Sequence, residues 1–211
     1  MLDLAAGTGK LTRELVPTGA EVLAVEPVEG MRAELAEALP AVRALAGTAE
    51  RIPLPGAAVD AVTVAQAFHW FDGPAALAEI HRVLAGGGRL GLVWNLMDRE
   101  VAWVDAVQRA VHAHRGESPW YASHRWQRAF EGRHGFGPLE AAEVRNVQVV
   151  DPEGVVERVA SVSFIATLEP AANAAVLDEI RSIVATHPET RGKRTIEIPY
   201  RTEVFWCEKR S

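Results

Sequence analysis

Short apolar runs alternate with helical patterns over the first half of the chain, which is typical of βαβ units around a parallel sheet. Between the runs, apolar residues recur at helical spacing, as Met31, Leu35 and Leu39 do, and Pro40 ends that stretch. The apolar runs predict five strands, at Met1–Leu4, Glu21–Glu26, Val42–Ala46, Asp60–Ala67 and Arg89–Asn95. We therefore expect a doubly wound α/β sheet.

The second half of the chain has a more helical pattern. Helices are predicted at Ala102–Arg115, at Ser123–Gly132 and over most of Asp151–Arg194, and extended segments at Glu143–Val150 and near the end of the chain. Pro199 in the last segment indicates a bulge or a sheet edge. We expect a core domain over residues 1–150, a helical insertion over 151–194 that forms a partial lid over the substrate, and a last strand within 195–211.

Composition and charge exclude several classes of protein. The chain has 211 residues and a net charge of −6, and a general nucleic-acid binder needs a basic face instead. No apolar run approaches the roughly 20 residues that cross a bilayer, so no membrane span is predicted. Met1 leads directly into an apolar segment, so no signal peptide is expected. Cys207 is the single cysteine and cannot form an internal disulfide, which favours a cytoplasmic location.

The segment LDLAAGTGKLT, at residues 2–12, follows the first predicted strand and resembles three kinds of ligand-binding loop. A nucleoside-triphosphate P-loop needs a glycine five positions before its Gly-Lys pair and a hydroxyl residue after it. Leu4 and Leu11 occupy those positions, so the P-loop interpretation fails. A dinucleotide fingerprint needs a small third residue, and Thr12 or Lys10 stands there instead, which weakens that interpretation.

A loop for S-adenosylmethionine (SAM) demands less, because SAM has no pyrophosphate and the turn need only be small. Ala5, Gly7 and Gly9 satisfy this demand, although any tight strand-to-helix turn also favours glycine. Glu26 ends the second predicted strand, where a carboxylate can accept both hydrogen bonds of a ribose diol. NAD and SAM both carry such a ribose, so Glu26 predicts a nucleoside ligand without choosing between them.

Four segments occur in order with short spacings: MLDLAAGTGKLT, AVEPVEGM, LAGTAERIPLPGAAVDAVTVAQAFHWF and ALAEIHRVLAGGGRLGLVWN. Together they resemble the class I SAM-dependent methyltransferases, in the group of ubiquinone/menaquinone and trans-aconitate methyltransferases. The resemblance covers residues 1–95, and the final extended segment resembles the family's antiparallel seventh strand. It implies a Rossmann-like, mostly parallel seven-stranded sheet with a helical insertion, and a methyltransferase acting on a small-molecule acceptor.

The resemblance also implies which residues bind SAM and release S-adenosylhomocysteine. Asp3 would orient the loop and meet the methionine amino group, and Glu26 would hold the ribose. Ala5 stands at a family glycine, and Thr48 stands where many members carry an aspartate for the adenine amino group. The implied cofactor-binding set is Asp3, Ala5, Gly7, Gly9, Glu26, Pro27, Met31, Thr48, Ala49 and Gln66.

The stretch AFHWF, residues 67–71, follows the fourth predicted strand, where open α/β sheets bind ligands. Phe68 and Trp70 are candidate substrate contacts, and His69 is the one obvious base there. The alternative for His69 is a hydrogen bond to a backbone carbonyl that only positions the loop. Arg201 in the last segment would suit a carboxylate acceptor.

Several alternatives remain open at this point. No metal site is predicted, since the close pair His112 and His114 does not share a helical face. An NAD(P)-dependent oxidoreductase is the less favoured enzyme class. A SAM-binding domain without turnover is the other alternative, because family members carry a helix before the first strand and this sequence begins at the strand. The aromatic residues Trp120, Tyr121, Trp126 and Phe130 line an acceptor pocket or, as we favour, belong to the core. The oligomeric state is open.

Overall fold

The computed structural model describes residues 1–116, 121–123, 125–131 and 135–210. The described residues form one seven-stranded sheet in the order β3-β2-β1-β4-β5-β7-β6. The strands are β1 (Leu2–Leu4), β2 (Leu23–Val25), β3 (Arg43–Leu45), β4 (Val59–Ala65), β5 (Leu84–Met97), β6 (Glu140–Val150) and β7 (Ile196–Glu208). β1 pairs in parallel with β2 and β4, β2 with β3, and β4 with β5. The prediction of a mostly parallel, doubly wound sheet with antiparallel strands towards the end is confirmed.

The helices are α1 (Lys10–Leu15), α2 (Glu29–Ala38), α3 (Gly73–Val83), α4 (Ala102–Ala113), α5 (Pro152–Ala160), α6 (Ser163–Ala166) and α7 (Pro170–Thr186). The predicted start of α3 is confirmed: Asp72 is its N-cap and accepts a hydrogen bond from the backbone N–H of Ala75. Asp151 caps α5 in the same way. Short 3₁₀ segments lie at Val16–Thr18, Phe68–Trp70, Tyr121–Ser123 and Arg125–Phe130.

Two local predictions are wrong, and one of the two alternatives for Pro199 is excluded, for identifiable reasons. β5 begins at Leu84 instead of Arg89, because Leu84 pairs with Val59 of β4 and the carbonyl of Gly88 accepts a hydrogen bond from the backbone N–H of Lys209. The helix predicted over 123–132 is replaced by 3₁₀ segments in its described part. Pro199 does not lie at a sheet edge, since β7 lies between β5 and β6 and the Pro199 carbonyl accepts a hydrogen bond from Asp98 N–H.

The chain divides into two compact units. The first comprises Met1–Trp94, Pro119–Ala142 and Glu203–Ser211, and its buried apolar residues include Leu2, Leu4, Val62, Val64, Leu77, Ile80, Leu90 and Trp94. The second comprises Asn95–Ser118 and Glu143–Thr202, and its core includes Trp103, Val107, Val155, Val159, Ile165, Ile180, Ile196 and Ile198. The predicted domain boundaries and the covering role of the helical insertion stay predictions. Among the described residues, no helix combines the length and apolar character that a membrane crossing requires.

Candidate active site

The loop between β1 and α1 contains three residues with left-handed backbone geometry. Ala5 has φ 56°, Gly7 has φ 56° and Gly9 has φ 82°. The backbone N–H of Ala6 donates to the carbonyl of Val25 at 3.1 Å, which ties the loop to the end of β2. At Ala5 the left-handed geometry costs about 1–2 kcal/mol that glycine would avoid. The substitution of a family glycine by Ala5 therefore introduces backbone strain as well as a small change in size.

The two glycines of this loop serve different purposes. A Cβ atom on Gly9 would lie 2.9 Å from Cγ of Leu35 and 3.3 Å from Cδ1 of Leu39, so Gly9 allows close packing against α2. A Cβ atom on Gly7 would meet nothing within 4 Å. Since the backbone of Gly7 borders open space, Gly7 is the glycine of this pair at which a ligand can approach closely.

Glu26 follows β2 and is 4% exposed. Its Oε2 accepts a hydrogen bond from the backbone N–H of Gly7 at 2.9 Å, and its Oε1 accepts one from Val28 N–H at 2.9 Å. These bonds fix the carboxylate against the loop. A carboxylate has about four acceptor sites, so each oxygen can still accept a hydrogen bond from a ligand hydroxyl group.

Asp3 in β1 is 1% exposed and is only half satisfied. Oγ1 of Thr12 donates to Oδ2 of Asp3 at 2.6 Å, whereas Oδ1 has no hydrogen-bond partner among the described residues. Burial raises the pKa of Asp3 from 3.8 to about 6, hydrogen bonds from Thr12 oppose the shift, and the nearby charge of Glu26 adds to it. A cation or a donor beside Oδ1 would stabilise the ionised form. We call Asp3, the loop 5–9 and Glu26 the acidic cradle.

Exposed apolar side chains lie next to the acidic cradle. Met31 is 43% exposed on the first turns of α2, and Pro27 and Val28 before that helix are also exposed. Beyond β3, Thr48 is exposed and Ala49 is buried. The predicted adenine-binding residues therefore include exposed apolar groups that a flat ring could cover.

Two residues that sequence reasoning missed hold the segment after Thr48. Nη1 and Nη2 of Arg82 donate to the carbonyls of Leu54 and Ile52 at 2.7 and 2.9 Å, and Arg82 forms an ion pair with Glu79 at 2.6 Å. Glu79 in turn accepts a hydrogen bond from Ile52 N–H, and the guanidinium lowers the pKa of Glu79. Oppositely charged residues three positions apart are common on helices. The sequence alone therefore does not indicate that Glu79 and Arg82 hold the segment after Thr48.

Gln66 follows β4 and also has left-handed geometry, with φ 59°. Its backbone N–H donates to the carbonyl of Val93 at 2.9 Å, which holds the strained residue in place. Non-glycine residues in this region concentrate at functional sites. β1 and β4 are neighbours at the point where the strand order of the sheet reverses, which is where open α/β sheets bind ligands. The strained residues Ala5 and Gln66 directly follow these two strands.

The aromatic stretch after β4 divides into a buried residue and an exposed one. Phe68 is buried and packs in an aromatic cluster with Phe71, Trp126 and Phe130, at ring-centroid distances of 5.5, 6.2 and 5.4 Å. Trp70 is 47% exposed. Packing in the aromatic cluster explains why Phe68 is buried. Substrate contacts of Phe68 and Trp70 stay predictions.

His69 accepts a hydrogen bond from the indole N–H of Trp94, at 3.3 Å from Nε1 to Nδ1. The partner is thus an indole and not the backbone carbonyl of the alternative interpretation. Burial lowers the pKa of His69 to about 4, so the ring is neutral at pH 7. An indole nitrogen only donates, so Nδ1 is the acceptor and Nε2 carries the ring proton. In this state His69 offers a hydrogen-bond donor and is a weak base.

A cavity of about 340 Å³ lies beside this stretch, within the first unit. Its walls combine aromatic rings with two arginines of the 3₁₀ segment at Arg125–Phe130. We call it the arginine cavity and define it by Phe68, His69, Phe71, Arg125, Trp126 and Arg128. Sequence reasoning named Trp126 but missed both arginines, because no motif or strand end marks them.

Arg201 and three aromatic residues of the sequence analysis remain to be placed. Arg201 on β7 forms an ion pair with Glu143, with Nε 3.5 Å from Oε2. Trp120 lies outside the described residues. Tyr121 and Trp126 stack on buried Trp94, at centroid distances of 4.4 and 4.6 Å. Within the described part of the chain, no group of His, Cys, Asp and Glu residues could hold a metal ion.

A mostly parallel sheet with β7 inserted beside β5, and an acid-lined loop after β1, define a class I methyltransferase fold. Residues 2–92 match the model of the methyltransferase domain family. An uncharacterized methyltransferase of Mycobacterium tuberculosis is 39% identical over 214 residues, covering 96% of this chain and 80% of that protein. The chain belongs to the SAM-dependent methyltransferase family, as the sequence resemblance predicted.

Two further similarities agree with this family. A demethylmenaquinone methyltransferase of Thermus thermophilus is 45% identical over 98 residues, covering 43% of this chain and 44% of that protein. A solved structure from Anaeromyxobacter dehalogenans, provisionally named a type II methyltransferase, superposes with a TM-score of 0.68 at 22% identity, covering 99% of this chain and 88% of that one. The latter similarity concerns the fold.

The acidic cradle fits SAM, the cofactor of this family. The unpartnered Oδ1 of buried Asp3 suits an ammonium group, and the free acceptor sites of Glu26 suit a ribose diol. Gly7 leaves room for close approach of a ligand to the backbone. Asp3 and Glu26 therefore provide hydrogen-bond acceptors for SAM, and Gly7 provides space beside its backbone.

Proposed function

We propose that this chain transfers a methyl group from SAM to a small-molecule acceptor, with the acidic cradle as the cofactor site. The observation that carries this proposal is the half-satisfied Asp3 beside a loop whose Gly7 borders open space. A buried carboxylate oxygen without a partner is costly, and a cationic ligand would offset that cost.

Each cradle residue has a distinct task in this proposal. Asp3 binds the methionine ammonium group, Glu26 binds the ribose hydroxyls, and the backbone of Ala5–Gly9 lies along the methionine part. Met31, Pro27, Thr48 and Ala49 enclose the adenine, and Gln66 lies towards the reacting end. The Glu79–Arg82 pair supports Thr48 and Ala49 by holding the segment that follows them.

Bound SAM supplies a methyl group on a sulfonium, so that an acceptor lone pair forms the new bond to carbon while the C–S electrons remain on a neutral thioether. The protein's main contribution is alignment of the two reactants and exclusion of water, and alignment alone can supply roughly 7–11 kcal/mol. His69 is neutral and donates from Nε2, so we assign it a role in binding the acceptor and not that of a general base.

Transfer of radioactive methyl groups from labelled SAM tests this function. Pools of small metabolites, separated by net charge, serve as acceptors, and release of S-adenosylhomocysteine is followed in parallel. We expect release that depends on one pool and is lost in Glu26→Gln. Binding of S-adenosylhomocysteine without transfer to any pool would instead support a SAM-binding domain without turnover.

We also propose a cytoplasmic location. The single cysteine, Cys207, is buried and its pKa is raised to about 12 by burial, so the thiol is protonated and unreactive. Such a chain gains nothing from an oxidising compartment. Fractionation of the source cells with an antibody to this protein tests the proposal.

A further inference from the structure

The arginine cavity contains two guanidinium groups without an acidic partner. Arg125 and Arg128 line its wall, and neither side chain forms an ion pair or hydrogen bond with the described residues. By contrast, Arg82, Arg99, Arg109, Arg145 and Arg181 each pair with a carboxylate. Two guanidinium groups on the wall of one cavity, with no carboxylate of the described residues paired to either, favour an anionic ligand.

Two further lining residues of the cavity, His69 and Trp126, carry neutral hydrogen-bond donors. Nε2 of His69 carries the ring proton because Nδ1 accepts from Trp94. The indole N–H of Trp126 is buried and has no partner among the described residues. The polar side chains that line the cavity therefore present donors, which select acceptor-rich ligands, and ionised carboxylate and phosphate groups carry acceptors only.

The other walls of the arginine cavity are aromatic. The rings of Phe68, Phe71 and Trp126 line it, and its volume of about 340 Å³ is at the small end of ligand pockets. The aromatic rings would contact an apolar body of the ligand, while the arginines bind its anionic group. Together these features describe a small amphipathic anion.

On the basis of the proposed function, we propose that the arginine cavity binds the methyl acceptor and that the acceptor is a small molecule with an apolar body and a carboxylate or phosphate group. Arg125 and Arg128 bind the anionic group, and His69 donates to it from Nε2. Guanidinium groups bind both kinds of oxyanion in a bidentate manner, so the two anions are distinguished by experiment.

The test measures binding of three probes to the protein saturated with S-adenosylhomocysteine: benzoate, phenyl phosphate and the neutral benzamide. Ligand-observed NMR titrations give the affinities. We expect at least one anion to bind at least tenfold more tightly than benzamide, since hydrogen bonds to charged groups are worth about 1.5–3 kcal/mol each. The tighter of benzoate and phenyl phosphate identifies the anionic group.

Variants of Arg125 and Arg128 test whether the anionic probe binds in the arginine cavity. Arg125→Gln and Arg128→Gln should each weaken the anion about fivefold or more, and the double variant should reduce its affinity to that of benzamide. Both arginines are exposed, so the variants should fold. If the double variant is unstable, Arg125→Lys with Arg128→Lys replaces it, and an intermediate loss is expected because charge remains without the planar fork. Arg43→Gln, an exposed arginine on β3, is the matched control and should change nothing.

Three outcomes would overturn the inference: equal affinity for an anion and benzamide, no binding of either anion, or unchanged anion binding in the double variant. These outcomes leave the proposed function intact if S-adenosylhomocysteine still binds. Failure of S-adenosylhomocysteine to bind the wild-type protein would contradict the proposed function instead.

Discussion

The acidic cradle and the arginine cavity both follow strands of the first unit, but they have opposite charge and opposite burial. In the cradle, carboxylates of Asp3 and Glu26 are almost completely buried and held by backbone and hydroxyl donors. In the cavity, Arg125 and Arg128 are exposed and form no ion pair with the described residues, and the buried side chains include the rings of Phe68 and Trp126.

Charge and burial together determine which ligand each site can bind. Buried carboxylates destabilise the empty site and so suit a single, positively charged ligand that is always the same. Exposed arginines cost little in the free protein because water solvates them, so they can bind an anion of variable body. We read the cradle as the fixed cofactor site and the cavity as the adaptable acceptor site.

The largest expected effect separates the two glycines of the cradle. Gly9→Ala should lower the free energy of unfolding by about 2–5 kcal/mol, since the new Cβ collides with Leu35 and the backbone is left-handed. Gly7→Ala should cost only about 1–2 kcal/mol from its backbone. Urea denaturation measures both. Equal losses would contradict the assignment of Gly9 to packing and Gly7 to ligand approach.

The next effect tests whether the cradle and the cavity act separately. Glu26→Gln should weaken binding of S-adenosylhomocysteine about 10–100-fold, because it removes a charged acceptor of roughly 1.5–3 kcal/mol. Binding of the anionic probe in the absence of S-adenosylhomocysteine should stay unchanged. Calorimetry measures both affinities. Glu34→Gln, an exposed residue of α2, is the matched control. A parallel loss of both ligands in Glu26→Gln would show a folding defect instead of a separate cofactor site.

Asp3 gives the cradle a pH dependence near pH 6. Its pKa of about 6 in the folded protein means that a ligand ammonium gains a charged partner only as the pH rises through 6. Affinity for S-adenosylhomocysteine should therefore increase from pH 5 to pH 7.5, by up to tenfold per pH unit below the pKa. Calorimetry at several pH values measures this. Asp3→Asn should remove the dependence, and the same slope in that variant would contradict the assignment.

In the free protein, the carboxyl group of Asp3 should make the stability fall as the pH rises. The folded pKa of Asp3, about 6, exceeds the ordinary value of 3.8, so the folded state binds the proton more tightly. The contribution of Asp3 to stability is thus greatest below pH 4 and is lost as the pH rises through 6, by about 3 kcal/mol in total. Comparing the pH profiles of unfolding for wild type and Asp3→Asn isolates this contribution from those of other groups.

A smaller effect concerns the wall of the cavity. His69→Ala leaves the buried indole N–H of Trp94 without its acceptor and should cost about 1–3 kcal/mol of stability. His69→Asn can accept that hydrogen bond through its side-chain oxygen and should recover part of the loss. Thermal unfolding of both variants provides the measurement. Equal stability of the two would show that the bond to Trp94 contributes nothing.

Sequence patterns predicted the parallel part of the sheet well because local periodicity and strand-to-helix turns define it. Asp72 as a helix cap and Glu26 after β2 follow from rules of local chemistry, and both lie where predicted. The early start of β5 could not be predicted, since its pairing with Val59 and its hydrogen bond from Lys209 arise only in the folded chain. The arginine cavity was missed for the same reason: Arg125 and Phe68 meet only in the folded chain.

Roles within the cradle also needed the structure. The sequence shows Gly7 and Gly9 as equivalent small residues, whereas only the three-dimensional contact with Leu35 distinguishes them. Likewise, the sequence offers His69 either as a base or as a residue that positions the loop. The burial that keeps the ring neutral, and the hydrogen bond from Trp94 on β5, are seen only in the structure.

A calorimetric titration of the wild-type protein with S-adenosylhomocysteine and, separately, with NADH at pH 7.5 tests most directly whether the acidic cradle binds SAM. We predict saturable binding of S-adenosylhomocysteine that is weakened at least tenfold in Glu26→Gln, and no binding of NADH. Binding of NADH without binding of S-adenosylhomocysteine would contradict the assignment of the cradle to SAM.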